Sequence, residues 1–400
     1  MSKKLLKNIV DNKNLLLLLG MYSLSLILIF SNLYLEIRTG GNEWQQGDWL
    51  INDKIINIRR GFFGSFLLDL SKILNVNPLY MLAALQALII FILHIVFFFI
   101  GVKFRDNDIV FFLLFSPLFI LFWFNNVAAS LRKDIIVYLS FIPFIILVYE
   151  NAYKKQSNVI LATVLSLCIY TVAVFSHEAN VFFLPFLLIA FYIICGKIDQ
   201  KFLIFSLFYI AIAIIGFSYS IKYSHVNDYM LVCEPILKQG INSNICSGAI
   251  QWLTKDSNSA ISLSKQLLHS KAALAFLISY LFSLLLLVLL LKNYFPIKNI
   301  LMSCFLSSLC FLPLYIVGLD WGRWINYYVF SVTFVVILYF LIHKNSYLYF
   351  KLTKFNYILL LIVCSVFSMP YYLPIEDDEI PIAQGYAYIL FYKIPQRLAH

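Results

Sequence analysis

Residues 78–102, PLYMLAALQALIIFILHIVFFFIGV, form an apolar run that is long enough to decide the fold. The run contains no Asp, Glu, Lys or Arg. As a helix it would extend about 37 Å, which exceeds the roughly 30 Å of hydrocarbon in a bilayer. Lipid cannot satisfy the hydrogen-bonding groups of the backbone, so a run of this kind is predicted to cross a membrane as an α-helix.

Similar apolar runs recur along the whole chain, in which 62% of the residues are hydrophobic and only 12% are charged. The mean hydropathy of +0.86 excludes a surface that faces water throughout. The runs predict an all-α, polytopic integral membrane protein with about eleven transmembrane helices and a single domain, residues 1–400. The predicted spans are 15–35, 78–102, 109–124, 134–149, 158–176, 180–195, 202–221, 271–291, 299–318, 325–342 and 355–373.

The distribution of basic residues predicts the orientation. Lys and Arg outnumber Asp and Glu by 30 to 20, but no nucleic-acid-binding motif accompanies them, so we exclude nucleic acid as a partner. Cytoplasmic loops of membrane proteins collect Lys and Arg, and a cytoplasmic N-terminus places about half of the basic residues in the short inner loops. The segments on the outer side are then 36–77, 125–133, 177–179, 222–270, 319–324 and the tail 374–400.

The two ends of the sequence and its cysteines complete this topology. Lys3, Lys4 and Lys7 precede the first span, which we interpret as a retained anchor because it is too long for a signal peptide. Cys233 and Cys246 share the long loop 222–270, where they form either a disulfide, if that side is oxidising, or two free thiols. No cysteine spacing is typical of a metal site, and we expect neither a metal nor a cofactor.

The first outer loop carries the pair Arg59-Arg60, followed by Gly61, Gly64 and apolar residues at helical spacing between 63 and 74. This pattern is typical of a helix that lies in the membrane interface. Two guanidinium groups at the start of a helix, with glycines that let another group approach the backbone, can hold a phosphate or pyrophosphate. The alternative is that both arginines contact lipid headgroups.

Two further clusters interrupt apolar runs on the same side. Arg132 and Lys133 precede the fourth span against the positive-inside bias, so they bind either a substrate or lipid headgroups. His177 and Glu178 join two spans with almost no loop between them. A titratable pair at the membrane edge can act as an acid or base, although it can also simply end two helices.

The last cluster, Asp320-Trp321-Gly322-Arg323-Trp324, lies between the ninth and tenth spans. Asp320 and Arg323 either pair with each other at this helical spacing or orient a hydroxyl and bind an anion. Trp321 and Trp324 either stack on a sugar ring or belong to an interfacial aromatic belt. Together the four clusters favour glycosyl transfer from a lipid-linked pyrophosphate donor at the outer leaflet.

A chain of about 400 residues and eleven spans, with arginine-bearing outer loops and a His at the outer helix ends, resembles the Wzy-type O-antigen or capsular polysaccharide repeat-unit polymerases. The resemblance implies polymerisation of undecaprenyl-pyrophosphate-linked oligosaccharide repeats at the periplasmic leaflet of the bacterial inner membrane, with membrane lipid and a chain-length regulator as further partners. It also implies pyrophosphate or glycan contacts at Arg59, Arg60, Arg132 and Arg323, and a proton acceptor at His177 or Glu178. The long outer loop 222–270 departs from that family because it contains no arginine.

A second resemblance rests on Asp48, which follows the first span and precedes the interfacial helix. This arrangement is similar to that of the GT-C glycosyltransferases, and it implies that Asp48 is the base and Glu43 the nearest candidate for a metal ligand. A lipid-linked glycan flippase or transporter is the alternative from another class. Apart from His94, however, no titratable Asp, Glu, Lys, Arg or His lies deep in a predicted span.

Overall fold

The computed structural model describes residues 12–343, 349–373 and 384–395. Lys3, Lys4, Lys7 and most of the predicted outer tail 374–400 lie outside these ranges. The described residues are mainly helical and contain no β-strand, apart from one isolated bridge between Asn107 and Phe350. The all-α prediction is confirmed for this part of the chain.

The described chain folds into twenty α-helices. Their bounds are α1 Lys13–Arg38, α2 Gln46–Leu50, α3 Gly61–Leu74, α4 Pro78–Lys103, α5 Asp108–Phe115, α6 Phe122–Asn125, α7 Val127–Ser130, α8 Ile136–Leu139, α9 Ile142–Tyr149, α10 Gln156–Ser176, α11 Leu184–Cys195, α12 Gln200–Lys222, α13 Met230–Leu237, α14 Ser257–Leu268, α15 Lys271–Leu291, α16 Ile297–Cys310, α17 Leu312–Val317, α18 Trp321–Ile342, α19 Lys354–Val366 and α20 Tyr386–Tyr388. Five 3₁₀ turns, Lys133–Ile135, Ala152–Lys154, Glu178–Phe183, Ser243–Cys246 and Gln251–Thr254, and a π-helical turn, Ile389–Lys393, complete the described secondary structure.

Within the described residues, seven helical segments are long and apolar enough to cross a membrane, as expected for an all-α membrane protein. They correspond to predicted spans and extend most of them by a few residues. The seven segments are α1, α4, α10, Glu178–Cys195 (the 3₁₀ turn together with α11), α12, α15 and α18. Two further predicted spans, 299–318 and 355–373, overlap the shorter apolar helices α16 and α19.

The predicted spans 109–124 and 134–149 are broken into short helices. Helix α5 ends at Phe115 because Ser116 precedes Pro117, and a residue before proline is disfavoured in helical geometry. Every residue of α5 is buried, so its apolar character reflects packing inside the protein. In the second segment, Pro143 lies in the first turn of α9, where its missing N–H does no harm. The count of eleven spans stays a prediction.

The chain divides into two compact units. Unit 2 consists of Ile29–Leu93 and Ser130–Ser259, and it contains α2, α3 and the helices from α8 to α13. Unit 1 consists of the remaining described residues and includes α18, the most enclosed of the seven long helices. Within unit 1 the side chain of Asn326, on α18, donates to the carbonyl of Leu118 at 2.7 Å.

Helix α3 lies directly against the backbone of residues 50–53 in unit 2. A Cβ atom at Gly64 would lie 2.0 Å from the carbonyl oxygen of Ile51, and one at Gly61 would lie 2.9 Å from the backbone nitrogen of Asp53. Only glycine permits such an approach. The glycines predicted to let another group reach the helix therefore accommodate the protein's own chain.

Candidate active site

Asp48 lies in the short helix α2 and is completely buried. The neighbouring Trp49 fixes this helix, because its indole N–H donates to the carbonyl of Leu131 at 2.8 Å. One carboxylate oxygen of Asp48, Oδ1, accepts from Arg60, while the buried Oδ2 has no hydrogen-bond partner among the described residues. A buried carboxylate with an unsatisfied oxygen is costly and is typical of a functional position.

Arg60 bridges two carboxylates. It precedes α3 with a φ of +65°, a left-handed conformation that is uncommon for a residue other than glycine. Its Nε donates to Oε2 of Glu178 at 2.7 Å and its Nη2 donates to Oε1, which forms a bidentate pair. Its Nη1 donates to Oδ1 of Asp48 at 3.3 Å. The guanidinium therefore joins the segment between α1 and α3 to the connection between α10 and α11.

Arg59 approaches the same acid from the other side. Its Nη1 donates to Oε1 of Glu178 at 3.2 Å, and its backbone N–H donates to the carbonyl of Tyr223 at 2.9 Å. The Nε of Arg59 is buried and makes no hydrogen bond to a described residue. Burial lowers the pKa of Arg59, and the charge of Glu178 opposes this effect.

Lys133 and Arg132 complete the cluster from the segment that follows α7. The ammonium group of Lys133 is buried and donates to the carbonyl of Arg60 at 2.9 Å. Arg132 donates through Nη1 to the carbonyl of Trp44 at 3.1 Å, and its buried Nε has no partner among the described residues. Both basic residues therefore point into unit 2, and the prediction that they only snorkel to headgroups does not describe this geometry.

His177 ends α10 and starts the 3₁₀ turn Glu178–Phe183. Its Nδ1 accepts a hydrogen bond from the backbone N–H of Ala179 at 3.2 Å. In the neutral ring the proton is then carried by Nε2, which makes that nitrogen a donor rather than a base. Both oxygens of Glu178 accept from arginines, so neither member of this pair has the geometry of a poised proton acceptor.

The charges of the cluster act strongly on one another. Burial by itself would raise the pKa of Asp48, but the positive charges of Lys133, Arg132 and Arg60 outweigh it and hold that pKa well below its usual range. Burial lowers the pKa of Lys133 to about 8, against the attraction of Asp48. Burial would lower the pKa of Arg60, but Glu178 and Asp48 raise it above its ordinary value.

The cluster contains more basic than acidic side chains. Four cations surround two carboxylates, and a positive charge remains even when the buried Asp134 is counted with the acids. Surplus charge that is removed from water is unfavourable unless a partner of opposite sign neutralises it. The side chains of Arg59, Arg60 and Glu178 are 17–21% exposed and form the accessible rim of the cluster, whereas Asp48 and Lys133 are enclosed. This arrangement is suited to an anionic ligand.

The fourth predicted cluster belongs to unit 1. Arg323 pairs with Asp320 through Nη2 and Oδ2 at 2.9 Å, and its guanidinium lies 4.5 Å from the ring centre of Trp324. Trp324 is buried, whereas Trp321 is half-buried and donates through Nε1 to the carbonyl of Gly318 at 2.9 Å. Substrate contacts of these four residues stay predictions.

Two glutamines of the site, Gln46 and Gln86, were not identified from the sequence. Gln46 and Gln86 form a buried pair at 3.2 Å, and Gln86 also donates to the carbonyl of Leu131 at 2.7 Å, the same carbonyl that binds Trp49. The signal was the polar Gln86 inside the apolar run 78–102.

Within the described ranges no group of three or more His, Cys, Asp and Glu residues could hold a metal ion, and Glu43 packs against Gly248. No protein-family model, curated protein or solved structure matches this chain.

Proposed function

We propose that the chain is a membrane glycosyltransferase that polymerises undecaprenyl-pyrophosphate-linked oligosaccharide repeat units into O-antigen or capsular polysaccharide. The proposal includes eleven spans, a cytoplasmic N-terminus and an active face on the periplasmic side of the bacterial inner membrane. The surplus of positive charge around the buried Asp48 carries it, because a buried cationic cluster favours an anionic partner.

A pyrophosphate carries the negative charge that would neutralise this cluster, and its oxygens can accept hydrogen bonds from the arginines. Arg59 and Arg60 lie at the accessible rim, where planar guanidinium groups can bind phosphate oxygens in pairs. When the bond between a sugar and its pyrophosphate breaks, negative charge builds on the leaving group. Cations already fixed in place stabilise that charge without rearranging. The same groups would therefore bind the donor and speed its reaction.

Asp48 is the best candidate for the base that accepts a proton from the attacking sugar hydroxyl. Its Oδ2 is not used by another described group, unlike the oxygens of Glu178 and the Nδ1 of His177. An anion bound to Arg59 and Arg60 would offset part of the positive charge that depresses the pKa of Asp48. Donor binding would thus make Asp48 a stronger base at the moment of transfer.

The Cys233–Cys246 disulfide supports an outward-facing site. It belongs to the same unit as the charge cluster. Structural disulfides persist in oxidising compartments such as the periplasm and are rare in the cytosol. The disulfide therefore agrees with the orientation that the positive-inside rule predicts.

The position of Asp48 also favours a second candidate, a GT-C-type transferase that uses a polyprenyl-phosphate sugar. Asp48 follows the long helix α1 and precedes the amphipathic helix α3, which exposes Phe62, Phe66 and Ile73 while it buries Phe63. In this case the product is one added sugar instead of a polymer. The charge cluster would then bind the single phosphodiester group that joins the lipid to the sugar.

A gel of surface polysaccharide from a deletion strain tests both candidates. Loss of a polymerase leaves single repeat units on the lipid A core, whereas loss of a single-sugar transferase leaves full-length chains whose repeats lack one residue. Complementation with Arg60→Ala should fail, and complementation with Lys72→Ala, an exposed residue of α3, should succeed. An unchanged glycan in the deletion strain would exclude both functions.

A further inference from the structure

The short segment that carries Asp48 contacts residues 232–249 of the same unit on both sides of Asp48. Before Asp48, Gly47 lies against the carbonyl of Ile245, and a Cβ atom at Gly47 would be 2.7 Å from that oxygen. After it, the side-chain amide of Asn52 donates to the carbonyl of Val232 at 2.7 Å. The two contacts fix the segment in position and direction.

Each of these two contacts lies next to one cysteine of the disulfide. Ile245 precedes Cys246 and Val232 precedes Cys233, and the two cysteine Cα atoms are 5.9 Å apart. The bond therefore fixes the spacing between the two points that hold Gly47 and Asn52. Without it, α13 and the turn Ser243–Cys246 would be covalently joined only through the intervening loop.

A third contact continues this surface beyond the disulfide. The backbone N–H of Ala249 donates to the carbonyl of Glu43 at 3.0 Å. A Cβ atom at Gly248 would lie 2.7 Å from the carbonyl carbon of Glu43. Residues 43–52 are thus packed against residues 232–249 at three successive points, two of which require glycine.

We propose that residues 232–249, closed by the Cys233–Cys246 disulfide, form a clamp that positions the Asp48 carboxylate for catalysis. Gly47, Asn52 and the two cysteines are positioning residues, since they act through Asp48. The catalytic part of this inference rests on the proposed function. It predicts that the enzyme is fully active only after the disulfide has formed.

The geometry explains why the effect on rate would be large. Asp48 must keep a 3.3 Å contact with Arg60, and its buried Oδ2 must be placed so that it can accept the proton of a substrate hydroxyl. A displacement of about 1 Å can lower a rate on the order of 100-fold when reacting groups must be aligned. Loosening the clamp should lower kcat by this factor and leave KM nearly unchanged, because Arg59 and Arg60 are also held by Glu178, which lies outside the clamp.

Fluorine NMR of the whole protein labelled with 5-fluorotryptophan gives a readout that is independent of activity. The chain has six tryptophans, and Trp49, the residue after Asp48, is assigned by the resonance that disappears in Trp49→Phe. We expect the Trp49 resonance to shift or broaden in the double variant Cys233→Ser/Cys246→Ser. Asn52→Ala should also shift or broaden the Trp49 resonance while the disulfide stays intact. This variant provides the test if the double variant does not fold.

Cys168→Ser is the matched control, because Cys168 is an exposed free thiol on α10 of the same unit. This variant should keep the Trp49 resonance and the glycan yield of the wild type. An unchanged Trp49 resonance in the double variant or in Asn52→Ala, or an unchanged kcat in either of them, would overturn the clamp. Absence of product from the wild type would instead reject the proposed function, and the NMR result would still decide whether the clamp holds Asp48 in place.

Discussion

Arg60 and Arg323 both lie at the beginning of a helix and both pair with carboxylates. The two arginines differ in how far along the chain those carboxylates lie. Arg323 pairs with Asp320, three residues earlier, at 2.9 Å. Arg60 pairs with Asp48 and Glu178, which are 12 and 118 residues away. An i,i+3 pair can form as soon as its helix forms. The pairs of Arg60 exist only in the finished fold, which makes its cluster the stronger candidate for a site.

The largest expected effect comes from the carboxylate of the long-range cluster. Asp48→Asn keeps the shape of the side chain but removes the base, so we expect the glycan yield to fall about 1,000-fold. Asp69→Asn, an exposed carboxylate on α3, is the control and should leave the yield unchanged. Quantitative gels at matched protein levels measure both. Full activity of Asp48→Asn would remove Asp48 from the mechanism.

Arg60→Lys tests the bidentate geometry of the same cluster. Lysine keeps the charge but loses the planar fork that binds Glu178 through two donors. Loss of hydrogen bonds to charged groups predicts a decrease in activity on the order of 100-fold. Normal activity with lysine at this position would show that only the charge matters, and would weaken the contrast with Arg323.

The pH dependence of activity tests Lys133. Its pKa is lowered to about 8 by burial, so its positive charge is present below this pH and lost above it. Activity should fall about tenfold per pH unit well above pH 8 if binding of the anion requires the charge. Lys133→Arg should keep its activity to higher pH. A flat profile up to pH 10 in the wild type would exclude a role for this charge.

The same pKa shift predicts a change in stability of opposite sign. The folded pKa of about 8 lies below the ordinary value of 10.5, so between these pH values the unfolded chain binds more protons than the folded protein. The burial of Lys133 therefore costs stability at neutral pH, and this cost declines as the pH rises from 8 to 10.5. The melting temperature of Lys133→Met should accordingly change less with pH over this range than that of the wild type.

The smallest effect is expected from Arg323→Lys. The local pair with Asp320 can be remade by lysine, so the glycan yield should stay within about threefold of the wild type. The measurement is the same gel used for Arg60→Lys, which makes the two variants a matched pair. A loss as large as that of Arg60→Lys would place Arg323 in the binding site, as the family resemblance implies.

The sequence predicted the fold class well because long apolar runs report directly on the solvent around them. Hydropathy does not distinguish a helix buried inside the protein from one that faces lipid, so 109–124 and 134–149 were predicted as continuous spans. Pro117 and Pro143 were the sequence signals of the breaks in these two segments. Pairs of charges that are far apart in the sequence could also not be predicted from it. The sequence identified Arg60, Asp48 and Glu178 separately, but no local pattern indicates that one guanidinium joins both acids.

The contact between Gly64 and the carbonyl of Ile51 has a mechanical consequence. Since α3 and the strip of chain beside it touch backbone to backbone, they can rotate or slide only together. Any motion of α3 must carry residues 50–53 along. The packing thus ties the helix that follows Arg60 to the chain that follows Asp48, while the segment of Asp48 is also held by residues 232–249.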